Sequence, residues 1–283
     1  MTIKSLSKTD FTTIYAAFNS AFADYEMQVN ETQLQAMLKR RGFNPDLSFA
    51  AFENSEIVSF TLNGTGNFNG ILTAYDTGTG TLKEHRGKGL ATKIFNYSLP
   101  LLKEANIKQY LLEVLQHNTN AVSVYQKLGF ETVREFNYFI QKNEEVNIEI
   151  KTSHSSFSIQ NIDIERHEYI KTFWDYEPSW QNSLESIKRA NEGFVNLGIF
   201  IKNKLVGYCV FEPVSGDVTQ IAVDKLYRRK GIATLLLNEI VKLNKNETIR
   251  VINTDISCSS ITDFLNKKNI FIKGKQFEMI RNL

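Results

Sequence analysis

Two cysteines, four prolines and two tryptophans are all that a chain of 283 residues contains of these types, and each shortage excludes something. Cys209 lies in the apolar run VGYCVF and Cys258 in the polar run DISCSS. Two isolated cysteines make neither a disulfide framework nor a zinc spacing, so no metal is expected and Cys209 reads as a small buried hydrophobe. Scarce proline and only 15 glycines exclude long low-complexity segments. No apolar run approaches the roughly 20 residues of a membrane span, and the opening MTIKSLSKTDF lacks the apolar core of a signal peptide, which makes the cytoplasm the default compartment. A formal charge of +2 is too small for bulk attraction to nucleic acid or to an anionic membrane, so neither is an expected partner; a monomer or homodimer is.

What is present is a composition close to that of ordinary globular proteins, 42% apolar and 23% charged, in a chain long enough for two domains of roughly 140 residues. Both halves carry one conspicuous stretch. Residues 84–95 read EHRGKGLATKIF and residues 226–237 read LYRRKGIATLLL. Aligned on Arg86 and Arg228 they share Arg-x-x-Gly-x-Ala at a separation of 228 − 86 = 142 residues, half the chain length.

The order of elements around the two stretches also repeats. Phe11, Ile14, Tyr15, Phe18 and Phe22 fall on one helical face, and a second helix is expected over 31–41, capped by Asn30 with Gln33 and stopped by Gly42. LSFAAF at 47–52 and EIVSFTLNG at 56–64 read as a hairpin, and a strand through 71–82 runs into the first stretch. A helix follows with Leu90, Ile94, Tyr97 and Leu101 on one face and Pro100 near its end, then a strand at 110–115, a helix over 118–128 and a strand in VREFNYFIQ. The second half offers helices near 163–173 and 181–191, a hairpin, a strand at 219–223, its own copy of the stretch, a helix, a strand near 248–254 and a helix near 258–267. Two copies of one α/β unit are therefore expected, residues 1–141 and 157–283, joined by the polar segment 142–156, in which EVNIEI alternates as an edge strand does.

A strand that ends in a glycine-bearing loop and opens a helix aims unpaired backbone N–H groups at one point, and such a helix start attracts anions. Gly87 and Gly89 permit close approach, while Arg86, Lys88 and Lys93 bring positive charge. A tight basic turn with no ligand is the alternative, and its repetition at matching places favours the phosphate reading. No Walker loop occurs, and a dinucleotide fingerprint starting at Gly87 fails at Thr92.

Arg86-Gly87-Lys88-Gly89-Leu90-Ala91, the strand end Gly80-Thr81-Leu82 before it and LLEVLQHNTNAVSVYQKLGF at 111–130 together resemble the GNAT superfamily of acyl-CoA-dependent N-acyltransferases. The resemblance implies two tandem α/β (α+β) domains, each a mixed, mostly antiparallel sheet flanked by helices, and acetyl-CoA as cofactor. It assigns the pantetheine arm to Thr81 and Leu82, and the pyrophosphate to the backbone of residues 87–92, from Gly87 and Lys88 through Gly89, Leu90 and Ala91 to Thr92. Asn118, Ala121 and Tyr125 match the family's Asn-x-x-Ala-x-x-x-Tyr, which implies a cofactor contact for Asn118 and proton donation to the departing thiolate for Tyr125. A core aromatic is the alternative reading of Tyr125. Amine attack on a thioester needs donors for the oxyanion and an acid for the thiolate, so the residue types suit the chemistry. For a base, Asp76 and Glu113 stand on the strands flanking the acceptor cleft; structural carboxylates, with water as base, are the alternative.

In the second half Val223, Arg228, Arg229, Lys230, Gly231, Ile232 and Ala233 repeat the cofactor loop, but Phe264 or Leu265 replaces the tyrosine and a serine replaces the asparagine. The first half is thus the expected catalytic copy and the second a CoA-binding or structural one. A further echo sets Phe22-Ala23-Asp24-Tyr25-Glu26 against Phe173-Trp174-Asp175-Tyr176-Glu177. By resemblance Asp24 and Tyr25 border the acceptor site, and a helix ending inherited by duplication is the alternative. The expected activity is acetyl transfer from acetyl-CoA to a primary amine of a small molecule or peptide. The alternatives are a non-catalytic acyl-CoA sensor and an aminoacyl or peptidyl transferase.

Overall fold

The computed structural model describes residues 1–24, 28–149 and 157–283. In chain order the elements are β1 (Thr2–Ser5), α1 (Phe11–Ala21), α2 (Glu31–Arg41), β2 (Phe49–Glu53), β3 (Glu56–Phe68), β4 (Ile71–Thr81), α3 (Leu90–Glu104), β5 (Gln109–Leu115), α4 (Thr119–Lys127) and β6 (Glu131–Lys142). There follow β7 (Phe157–Asn161), α5 (Leu184–Arg189), β8 (Val195–Ile201), β9 (Lys204–Glu212), β10 (Asp217–Val223), α6 (Ile232–Leu243), β11 (Thr248–Asp255), α7 (Ser259–Lys267) and β12 (Ile272–Asn282). Among the described residues no helix is long and apolar enough to cross a membrane.

The chain forms two compact units, and neither is one uninterrupted half. The first comprises Met1–Arg134, Leu184–Ala190 and Phe277–Leu283; the second comprises Glu135–Ser183 and Asn191–Gln276. In the first unit the strands lie in the order β1-β2-β3-β4-β5-β12, with β1 to β4 antiparallel in turn and β4 parallel to β5. Its last strand is held by the C-terminal residues: Met279 is fully buried beside Tyr110 and Leu112, and the Leu283 N–H donates to the Lys108 carbonyl at 2.9 Å. In the second unit the order is β6-β11-β10-β9-β8-β7, with β10 and β11 the parallel pair.

Local sequence explains the elements nearest the site. Asn30 accepts from the Gln33 N–H at 2.9 Å while Gln33 Oε1 accepts from the Asn30 N–H at 2.9 Å, a reciprocal cap that contributes about 1 kcal/mol to α2. Gly42 ends that helix with φ 78°. Asn54 and Ser55 turn β2 into β3 with φ of 48° and 70°, the left-handed pair that matches the twist of a two-residue hairpin. Below the sheet of the first unit, Ala50, Phe60 and Leu62 pack on α1 and α2; on its other face Phe49, Ala51 and Val58 pack on Leu90 and Ile94 of α3. Pro100 sits inside α3, which continues to Glu104.

Two expectations fail. Residues 163–173 form 3₁₀ turns, Ile164–Arg166 and Glu168–Phe173, broken at His167 with φ −124°. Ile170 and Phe173 are buried three residues apart, a spacing that the tighter turn brings onto one face. The alternating EVNIEI makes no strand over its described residues 145–149. There Val146 is drawn into the second unit's core and the Asn147 N–H donates to the Lys268 carbonyl at 2.9 Å.

Candidate active site

The first unit's site is built where β4 and β5 part. They pair in parallel only at Thr73–Tyr75 with Gln109–Leu111, then run on to Thr81 and Leu115. Beyond the pairing β4 bulges: Leu62 faces Gly78 and Asn63 faces Asp76, leaving Thr77 as an extra residue. Its hydroxyl donates to the Leu62 carbonyl at 2.8 Å and its carbonyl accepts from Arg41 Nη1 at 2.8 Å. A bulge re-aims the neighbouring side chains, and the one it aims here is Asp76.

Asp76 accepts hydrogen bonds from Thr79 Oγ1 at 2.7 Å, the Gly78 N–H at 2.9 Å and the Tyr125 hydroxyl at 3.0 Å. Burial dominates its titration and holds its carboxyl above the usual range, although the three donors and Arg41 pull the other way. Tyr125 comes from the last turn of α4, with its ring 5.6 Å from that of Phe130. Asp76 and Tyr125, 49 positions apart, are thus in contact.

Glu113 stands apart from them. Its carboxylate accepts from Tyr75, and neighbouring positions on a strand point to opposite faces, so Tyr75 with Glu113 and Asp76 with Tyr125 lie on opposite sides of the sheet. Burial, reinforced by Glu113, pushes the Tyr75 hydroxyl well above its ordinary range. Tyr110, on the Asp76 side, donates to Asn63 and is likewise raised by burial.

The loop after β4 has the expected shape. Gly87 and Gly89 have φ of 75° and 69°, and Gly89 precedes α3 without any side-chain cap. A Cβ on either glycine would meet nothing within 4 Å, so backbone angle, not crowding, calls for glycine. The first N–H groups of α3, at Leu90, Ala91 and Thr92, therefore have neither an intrahelical nor a capping partner. Thr81 Oγ1 lies 2.8 Å from Ser59 Oγ, the Leu82 N–H donates to Val58 at 3.0 Å, and Asn118 caps α4 by accepting from the Ala121 N–H at 3.3 Å.

Arg86 makes contacts that the spacing did not suggest. Nε donates to the Thr81 carbonyl at 3.2 Å, Nη2 to the Ala21 carbonyl at 2.8 Å and Nη1 to Asp24 at 3.2 Å. Asp24 also lies 4.0 Å from Lys83 Nζ. Tyr25 falls outside the described residues.

The second unit repeats the scaffold without the polar pair. Its bulge in β10 falls at Thr219, between Val218 and Gln220, so Val218 stands where Asp76 does. Asn118 and Tyr125 are 125 − 118 = 7 residues apart from cap to last turn of α4. In α7 the cap is Cys258, and 265 − 258 = 7 leads to Leu265, which is buried; the serine expected opposite Asn118 is therefore this cysteine. Gly231 starts α6 with φ 83°, and Arg229 takes φ 64° where the first loop has Gly87. Arg228 donates to the Val223 carbonyl at 3.1 Å, the Phe173 carbonyl at 2.8 Å and Asp175 at 2.9 Å.

A cavity of about 670 Å³ adjoins this second loop, lined by Val223, Arg228, Arg229, Gly231, Ile232 and Ala233 among others. Inside it Trp174 donates to Tyr208, and Tyr208 to Gln220, at 2.6 and 2.7 Å. Lys230 lies with its Nζ 5.0 Å from the centre of the Tyr227 ring. In the first unit the corresponding polar contact is the Asp76–Tyr125 pair, for which the second unit has Val218 and Leu265 at the matching places. Cys209 is fully buried, with its thiol pushed up to about 12 by burial, and is chemically quiet.

With this geometry in place, the comparisons with known proteins are decisive on one point. The model of the acetyltransferase (GNAT) family matches residues 11–130 and again 158–258. The chain belongs to the acetyltransferase (GNAT) family. Among curated GNAT relatives, N-alpha-acetyltransferase 30 of Schizosaccharomyces pombe is 32% identical over 87 residues, 30% of this chain and 58% of that protein. N-alpha-acetyltransferase MAK3 of Arabidopsis thaliana is 25% identical over 97 residues, 34% of this chain and 51% of that protein. The matches thus span little more than half the length of these relatives. A tandem GNAT protein from the clavulanic acid biosynthesis pathway superposes with a TM-score of 0.75 at 10% identity, over 99% of this chain and 98% of its own. A GCN5-related N-acetyltransferase from Sphaerobacter thermophilus gives 0.72 at 12%, over 99% and 95%. At such identities these two establish a shared tandem fold.

Proposed function

We infer that the first unit transfers an acetyl group from acetyl-CoA to a primary amine of a small molecule or peptide. The observation that carries this reading is the contact between Asp76 and Tyr125 in the unit whose loop leaves the first N–H groups of α3 without a capping partner. Acetyl-CoA, when bound, supplies the acyl group as a thioester with a thiolate leaving group. The residues fit it: the open backbone at Gly87 and Gly89 has room for a pyrophosphate, and the α3 N-terminus favours its charge.

Asp76, raised by its enclosure, takes a proton from the attacking amine nitrogen as the C–N bond forms and the C–S bond breaks. Tyr125 gives its phenolic proton to the sulfur, and Asp76 returns the proton it took to Tyr125 across the 3.0 Å hydrogen bond. One proton leaves nitrogen and one arrives at sulfur, so the pair ends as it began. A peptide α-amine is among the acceptors because two relatives bear the name N-alpha-acetyltransferase.

The experiment is release of free thiol by the full chain with acetyl-CoA and a panel of amines and N-terminal peptides. Activity that falls at least a hundredfold in Asp76→Asn supports the relay, whereas activity that persists in that variant removes Asp76 from it. A second reading, a non-catalytic acyl-CoA-binding role for the second unit, is favoured by its cavity and by Val218 and Leu265. Two equivalents of CoA bound per chain, with one turning over, is its signature.

A further inference from the structure

The two sequence echoes, the basic loop and Phe-x-Asp-Tyr-Glu, are separate in the chain but meet in each unit through one side chain. Arg86 and Arg228 each bind three acceptors in the same order: the carbonyl at or near the end of the strand before the loop, the carbonyl at the end of the preceding helical segment, and an aspartate. The distances match within a few tenths of an ångström: 3.2 and 3.1 Å, 2.8 and 2.8 Å, 3.2 and 2.9 Å. A guanidinium presents its donors in a rigid plane, and all three of its nitrogens here point into the protein. Its charge is met by the carboxylate, which a lysine also approaches in each unit, Lys83 and Lys225 at 4.0 Å.

We propose that Asp24 and Asp175 are positioning residues, each clamping the loop arginine of its unit against two backbone carbonyls so that the loop offers a phosphate its N–H groups rather than its arginine. This rests on the reading of the loops as pyrophosphate sites. The clamp fixes the residue just before the left-handed turn, and with it the direction in which Gly87 to Thr92, or Arg229 to Thr234, present their amides. The two clamps differ in strength. Asp24 is 51% exposed, and such a pair is weak, whereas Asp175 is 28% exposed and also accepts from Ser260 at 2.8 Å. Ser260 belongs to α7, so the second clamp also fastens that helix to the loop.

The test uses the full chain and two readouts. In the free protein, the Arg86 and Arg228 Nε–H resonances should be protected from solvent exchange; Asp24→Asn should expose the first alone and Asp175→Asn the second alone. Calorimetry with CoA should show roughly three- to tenfold weaker binding in the unit whose aspartate is replaced, the scale of one partly exposed charge-assisted contact. Asp24→Glu should recover most of the loss. Arg86→Lys, which keeps the charge but not the fork, should bind as weakly as Arg86→Ala. If the arginine itself grips phosphate, Asp24→Asn frees it and tightens CoA binding, and Arg86→Lys retains affinity; either result overturns the proposal, as do unprotected Nε–H groups in the parent protein. A parent protein that binds no CoA sinks the pyrophosphate reading instead, and the exchange data then decide the clamp by themselves.

Discussion

Replacing Tyr125 by Phe removes one oxygen and keeps the ring against Phe130, so its consequences can be worked from a single lost bond. Asp76 accepts three hydrogen bonds; losing one from a buried carboxylate costs about 1.5–3 kcal/mol while that carboxylate is charged. Loss of that donor therefore moves the Asp76 carboxyl further up. Burial already raises it in the parent protein, and its three donors and Arg41 work against that shift to keep the charged, proton-accepting form within reach. The added cost is therefore fully present above the variant's higher value and disappears below the parent's, where both are neutral. Urea unfolding should show a stability deficit that is largest in alkaline solution and shrinks towards zero as the pH falls through the raised Asp76 value. Turnover, measured as thiol release, should fall roughly 10²- to 10⁴-fold with little change in CoA binding, and the acid limb of the residual activity should move to higher pH. Unchanged turnover would take Tyr125 out of the mechanism, and a deficit independent of pH would show that its hydroxyl does not act on Asp76.

The two glycines of the first loop should not be equivalent. Gly87→Asn should cost well under 1 kcal/mol and leave CoA binding intact, since asparagine tolerates the left-handed region and Arg229 already adopts it at the matching place. Gly89→Val puts a β-branched residue at φ 69° and should lower stability by about 1–2 kcal/mol and CoA affinity with it, measured by thermal unfolding and calorimetry. Burial would raise Asp175, but hydrogen bonds from Arg228 and Ser260 outweigh it and hold it below the usual range. Its contribution is thus present above about pH 4 and lost as the pH falls through its depressed value, so the stability gap between the parent protein and Asp175→Asn should close in acid; a gap that widens there refutes the assignment.

Features that depend on a few neighbouring residues were legible in the sequence. Asn30, Gln33 and Gly42 delimit α2 because caps act over three or four positions, and Gly87 and Gly89 reveal the loop because left-handed angles select their occupants. Features made by distant partners were not. Nothing near Asp76 in the chain points to Tyr125, and the bulge that aims its carboxylate leaves no pattern at Thr77. The Phe-x-Asp-Tyr-Glu echo did signal that the aspartate mattered, yet only the fold shows its partner to be an arginine 62 positions away in the first unit and 53 in the second. The alternation of EVNIEI looked like a strand because period two reports which side chains are buried, not whether the backbone finds a neighbour to pair with.

The first unit takes its sixth strand from Phe277–Leu283. On the ribosome, where a chain emerges from its N-terminus at roughly 5–20 residues per second, the unit that begins first must wait for residue 283, with the β5 edge beside Lys108 unpaired until then. Removal of residues 277–283 would strike the unit that holds Asp76 and Tyr125, and a fragment ending near residue 152 would carry the loop and that pair on an unfinished sheet.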